Sequence, residues 1–321
     1  DLHRLIRRQR QMCIRDSSET IHGEWWNTYE VASGGVLNIL GDYAQLQVNY
    51  AFNYSPTFSG EGIVNIGSGA EYGRMIVTSA AEFSDNWNNI INFTGTINVG
   101  ERGDFSISGT YPSHYGTIFY VGTLNVNGTV SVMSATSGNV SYFGIKNLSI
   151  GANGMLSSEI DLRIEDGGVY DIYGSGLSAP RLRVNSGTTT LNLRAQNVLE
   201  NLSVIDFDSN NASTLKINAD MSNALDVLTL RSNSTLELSI AEGQTLLVKS
   251  LKNWGSEKEN MSIIFRNYID GSFMLGSSDP WIEDNRLYLP STDAYASLVA
   301  YDSAGGLLEG CLLYTSPSPR D

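Results

Sequence analysis

From Gly34 to Val248 the chain keeps returning to one short phrase, in which two apolar residues flank a polar one. It reads Leu37-Asn38-Ile39, Val64-Asn65-Ile66, Ile97-Asn98-Val99, Leu124-Asn125-Val126, Leu148-Ser149-Ile150, Leu162-Arg163-Ile164, Leu182-Arg183-Val184 and Leu228-Thr229-Leu230. Alternation of this kind puts the flanking residues on one face of a strand and the middle residue on the other, so each phrase predicts a half-buried strand. Second arms follow in many places, among them Phe105-Ser106-Ile107, Val130-Ser131-Val132, Leu191-Asn192-Leu193 and Leu236 to Ile240. The joints between arms are Gly100 to Gly103, Asn127-Gly128, Gly151 to Gly154, Asp166-Gly167-Gly168, Asn185-Ser186-Gly187 and Ser232-Asn233-Ser234. Gly and Asn accept positive φ at low cost, so each joint predicts a tight corner.

Two geometries suit such a pattern. Asn-Gly between alternating arms is a strong hairpin signal and would suit a meander. The anchors, however, mostly recur roughly 20 to 33 residues apart, the period of coils with variable corner loops, and many coils of similar phrase length stack into one parallel core. The expected fold is therefore an all-β solenoid. Stacked coils would also place Asn38, Asn65, Asn98 and Asn125 in one outer-face column whose amides bond from coil to coil.

The expected organisation is a β-solenoid over residues 18–254 and a small C-terminal β cap over 255–310. In that cap region the phrase gives way to Ile263-Ile264-Phe265, Phe273-Met274-Leu275, Trp281-Ile282 and Leu287-Tyr288-Leu289. A cap covers strand edges that would otherwise pair with other chains. The two ends, 1–17 and 311–321, resemble translated adaptor read-through at the edges of metagenomic reading frames and are expected to be disordered tails outside the fold. Both cysteines, Cys13 and Cys311, lie in these ends. The remaining body is expected to have neither disulfides nor thiolate metal sites.

The formal charge is −14. The basic residues that cluster, Arg4 to Arg15, fall within the first tail, so the body is more acidic still. Nucleic acid, which needs a basic stripe, is excluded as a partner. No window of about 18 apolar residues occurs, so no transmembrane helix is expected.

Candidate chemistry is sparse. Two longer insertions interrupt the phrase, Glu71 to Asn89 with Trp87, and Ser108 to Tyr120 with Tyr111, His114 and Tyr115. Loops on a rigid scaffold commonly carry recognition, and aromatic rings stack on sugars, so Trp87, Tyr111, His114 and Tyr115 are the candidate binding residues. Aromatics at 21–58 are read as closing the end of a core. His22 and His114 are far apart in sequence with no cysteine or second histidine nearby, and no metal or cofactor is expected.

Asp206-Phe207-Asp208-Ser209-Asn210-Asn211 begins like a calcium loop. It has Asn211 where glycine should make the bend and Ile217 where a glutamate should close the shell. Asp206 and Asp208 fall on one strand face, as do paired carboxylates used for acid/base work, with Arg183 and Arg231 the nearest basic candidates. They form the alternative, acidic site.

Phrases such as Gly-Thr-Leu-Asn-Val-Asn-Gly-Thr-Val-Ser-Val at 122–132 resemble the β-strand repeats of bacterial autotransporter passengers and related surface adhesins. The likeness covers Gly34 to Val248. It implies a right-handed parallel β-helix that is exported and displayed at the cell surface, often adhesive. The leading expectation is accordingly a non-enzymatic adhesin or structural stalk, outside the cell or on its surface, whose partners are surface glycans or host and cell-surface proteins. The alternative is a polysaccharide lyase or glycoside hydrolase on a parallel β-helix.

Overall fold

Leu37, Val64, Ile97, Leu124 and Leu148, chosen above as strand anchors, stand opposite one another on successive parallel strands. The chain is all-β, a parallel β-solenoid, in a computed structural model that describes residues 11–14, 18–23, 29–42, 44–50, 58–79, 91–109, 118–134, 142–207, 212–253, 260–276, 281–283, 285–289 and 294–308. It divides into two units, Asp1–Arg163 and Ile164–Asp321.

In the first unit one sheet stacks Gln11–Ile14, Val36–Ile39 and Ile63–Ile66, then the C-terminal parts of Ile91–Val99, Ile118–Val126 and Tyr142–Ile150. A second sheet stacks Ser18–Gly23, Gln45–Tyr50, Gly73–Ser79, Gly103–Gly109, Thr129–Ser134 and Met155–Ser158. The early coils carry a third short strand, Tyr29–Val31 and then Phe58–Gly60. Ile91–Val99 continues both Phe58–Gly60 and Ile63–Ile66, so two short strands fuse into one from that coil onward.

Asn127-Gly128 does not close a hairpin. The backbone N–H groups of Asn127 and Gly128 both donate to Val99 O, one coil back, which is the parallel arrangement. The alternation does what it predicted, since Leu124, Val126, Val130 and Val132 are buried. Phe58 and Phe93 (centroids 5.1 Å apart) and Phe119 and Phe143 (6.5 Å) add paired rings to the core.

The second unit repeats the plan with two sheets. One runs from Val169–Ile172 through Gly187–Leu193, Ser213–Ala219, Ser234–Ile240, Met261–Arg266 and Tyr295–Ala300. The other holds Leu177–Val184, Leu202–Phe207, Asn223–Leu230, Leu246–Asn253 and Phe273–Leu275. The corner residue Asn233 has φ +62° and Gly187 has φ +88°, the left-handed geometry expected of them.

Two boundaries differ from expectation. Parallel stacking continues through Met261–Arg266 and Phe273–Leu275, past residue 254, because Ile263 and Phe265 repeat the inward alternation of Leu236 and Leu238. The cap is smaller, an antiparallel hairpin of Trp281–Glu283 and Arg286–Tyr288 lying against Tyr295–Ala300. Gln11–Ile14, within the expected first tail, forms a strand on Val36–Ile39. Met-Cys-Ile carries the same apolar-polar-apolar phrase as Leu-Asn-Ile, and that suffices to template it on the neighbouring strand.

Among the described residues of the second unit, Tyr170 is the largest wholly buried side chain. Burial, with Glu165 nearby, pushes its phenol well above the ordinary value of 10.0. Above pH 10.0 the unfolded phenol ionises while the folded one keeps its proton, so stability falls as pH rises. Tyr170→Phe is expected to flatten this alkaline limb in thermal melts taken between neutral and strongly alkaline pH. An unchanged limb would assign it to other tyrosines.

Candidate functional site

In the first unit the ends of the second-sheet strands form one registered row, Gly23, Tyr50, Ser79, Gly109 and Ser134. The strands that follow open on another row, Tyr29, Phe58, Ile91, Phe119 and Phe143. The segments between these rows therefore leave and re-enter the scaffold at one corner, coil after coil. Trp87 lies in 80–90, and Tyr111, His114 and Tyr115 lie in 110–117. These four candidates are outside the described residues, but the anchors that bracket them are rigidly paired. Part of each expected insertion is strand instead of loop. Gly73–Ser79 belongs to the second sheet, and Ile118 to Tyr120 open the strand Ile118–Val126.

The acidic candidate has a clear geometry. Asp206 sits on Leu202–Phe207 between Ile205 and Phe207, which face the core, so its own side chain faces outward. It is nevertheless 1% exposed, because Arg181 Nη1 at 3.4 Å and Arg231 Nη2 at 3.7 Å cover it. Arg183 stands directly opposite Asp206 on the preceding strand, and Thr229 on the following one. Of the two arginines proposed as neighbours, Arg231 is an ion-pair partner and Arg183 a register neighbour. Arg181 was missed, because its place two residues before Arg183 on the same outward face becomes meaningful only once register is known.

A carboxylate so enclosed neutralises guanidinium groups and holds coils together. It has no open side from which to exchange a proton with a polymer in solution. Asp208 lies outside the described residues. Among the described residues, no group of three or more His, Cys, Asp or Glu side chains is gathered as a metal site, and no helix is long and apolar enough to cross a membrane.

The asparagine column is present as a hydrogen-bonded ladder. Asn65 Nδ2 donates to Asn38 Oδ1 at 2.7 Å, Asn98 to Asn65 at 2.8 Å and Asn125 to Asn98 at 2.8 Å. Ser149 follows in register after Asn125, and Cys13 precedes Asn38, which donates to its Sγ at 3.5 Å. Beside the ladder, two residues earlier on each strand, runs a second outward row of Val36, Ile63, Thr96, Thr123 and Asn147. No family model, curated protein or solved structure matches the chain.

Proposed function

We propose that this chain is an exported β-solenoid, secreted or displayed at the cell surface, acting as an adhesin or structural stalk without catalysis of its own. Recognition falls to the corner segments that carry Trp87, Tyr111, His114 and Tyr115, with surface glycans or cell-surface proteins as partners. The observation that carries this reading is the pair of registered rows, Gly23 to Ser134 and Tyr29 to Phe143, which fixes the ends of successive aromatic-bearing segments one coil apart. Variable segments on a rigid, repeating frame are a common arrangement for binding, and repetition adds avidity when each contact is weak. The repeat style shared with autotransporter passengers supports export.

The test is a cell and glycan binding assay on the triple variant Trp87→Ala, Tyr111→Ala, Tyr115→Ala. Binding is expected to drop by at least about tenfold, the equivalent of some 1.4 kcal/mol, with an unchanged melting curve. Undiminished binding would remove these segments from the recognition surface.

A further inference from the structure

The first unit presents an outer face built of uncharged side chains along two rows. Its two adjacent rows are Val36, Ile63, Thr96, Thr123 and Asn147, and Asn38, Asn65, Asn98, Asn125 and Ser149. None is charged, in a protein of net charge −14. The outward rows of the second unit are laced with ions. Arg194 bridges Asp171 and Asp220, and Glu237 meets both Lys216 and Arg266.

We propose that this uncharged face binds a neutral, hydroxyl-rich polysaccharide laid along the direction of coil stacking. The proposal rests on the adhesive reading above and names a ligand class and a surface for it. An amide has two N–H groups and two oxygen lone pairs. Each inner amide of the ladder, Asn65 and Asn98, gives one N–H to the preceding coil and accepts one bond from the next. One donor and one acceptor per amide stay available on a half-buried side chain. Stacked strands repeat them about every 4.8 Å, with the Thr96 and Thr123 hydroxyls about 6.6 Å away along the strand.

Rows of fixed donors and acceptors match a chain of hydroxyls, and the parallel frame has already ordered them. Charge favours the same occupant. A neutral polymer brings no charge to be desolvated against an uncharged face, whereas an anionic one is repelled by the surrounding acidic protein.

The test is native electrophoresis of the full chain through gels containing hydroxyethyl cellulose, xyloglucan or galactomannan, with polygalacturonate as the anionic comparison. Two variants accompany it. Thr96→Val with Thr123→Val removes two hydroxyls and keeps the branched shape, and Thr123→Glu places a charge on the face without touching the ladder. Retardation in at least one neutral gel is expected, weakened about tenfold in either variant, with unchanged far-ultraviolet circular dichroism melts. Retardation that both variants leave intact, or that appears only with polygalacturonate, would overturn the proposal. A parallel cell-binding assay separates the two levels. Cells bound without any retardation would refute this face and leave the adhesive reading standing, while neither binding nor retardation would refute both.

Discussion

Asp206→Ala is expected to lower the stability of the second unit by about 3 kcal/mol, the lower end of the range for breaking a buried ion pair. The carboxylate is 1% exposed between Arg181 and Arg231, whose side chains keep 29% and 15% exposure. Its removal takes a shared, buried carboxylate from two guanidinium groups on neighbouring coils. Their partial exposure lets water recover some of the loss, which is why the effect falls at the low end. Asp206→Asn keeps the shape and drops the charge, and should cost less. Urea unfolding followed by far-ultraviolet circular dichroism measures both. A change below about 0.5 kcal/mol for the alanine variant, the size of an ordinary surface substitution, would show that the arginines find other partners at no cost.

Gly103→Ala should be as damaging for a different reason. A Cβ at this position would collide with Ile66 O and lie 2.9 Å from Val99 Cγ1. The first of these belongs to the backbone of the coil below and cannot rotate away, so the coils must part locally. Overpacking of this kind costs about 1 to 3 kcal/mol, and backbone involvement places it near the top. Gly243→Ala is the control. Nothing lies within 4 Å of a Cβ there, but φ is +72°. Only the left-handed penalty applies, about 1 to 2 kcal/mol. Melting the two variants side by side separates steric from conformational demand, and equal losses would contradict the assignment of Gly103 to packing.

Much of the scaffold is legible in the chain because its signals are local. The triplets around Asn38, Asn65, Asn98 and Asn125 declare strand, face and stacking partner together, and the ladder forms as they imply. The second unit is harder to read. Leu182 and Leu228 look like consecutive anchors, yet Ile205 stands between them in register. Ile205-Asp206-Phe207 carries the same phrase but invites reading as the start of a calcium loop. The end of the stacked region was placed too early because Ser256 to Asn260 breaks the pattern, although Met261–Arg266 then resumes it on Ser234–Ile240.

The acidic candidate shows the limit most clearly. Alternation places Asp206 outward but cannot say what lies over it. That depends on Arg181 and Arg231, separated from it by 25 residues and contributed by neighbouring coils in opposite directions along the chain. Local pattern fixes a face, and only register decides whether that face is open. For the corner segments the position of each insertion was readable, whereas their gathering at one corner follows from the paired rows on either side.

Leu182, Ile205, Leu228 and Leu251 are evenly spaced and stand opposite one another on successive strands. The gene that encodes such a run can gain or lose one whole interval by slipped copying or recombination, and the shortened or lengthened product still finds a leucine or isoleucine opposite each of its neighbours. Loss of a single residue inside a strand instead inverts every following side chain of that strand. Mutation thus meets two very different responses in the same stretch, tolerance for whole turns and intolerance for fractions of one. The number of stacked turns in this run is thereby open to selection one whole turn at a time.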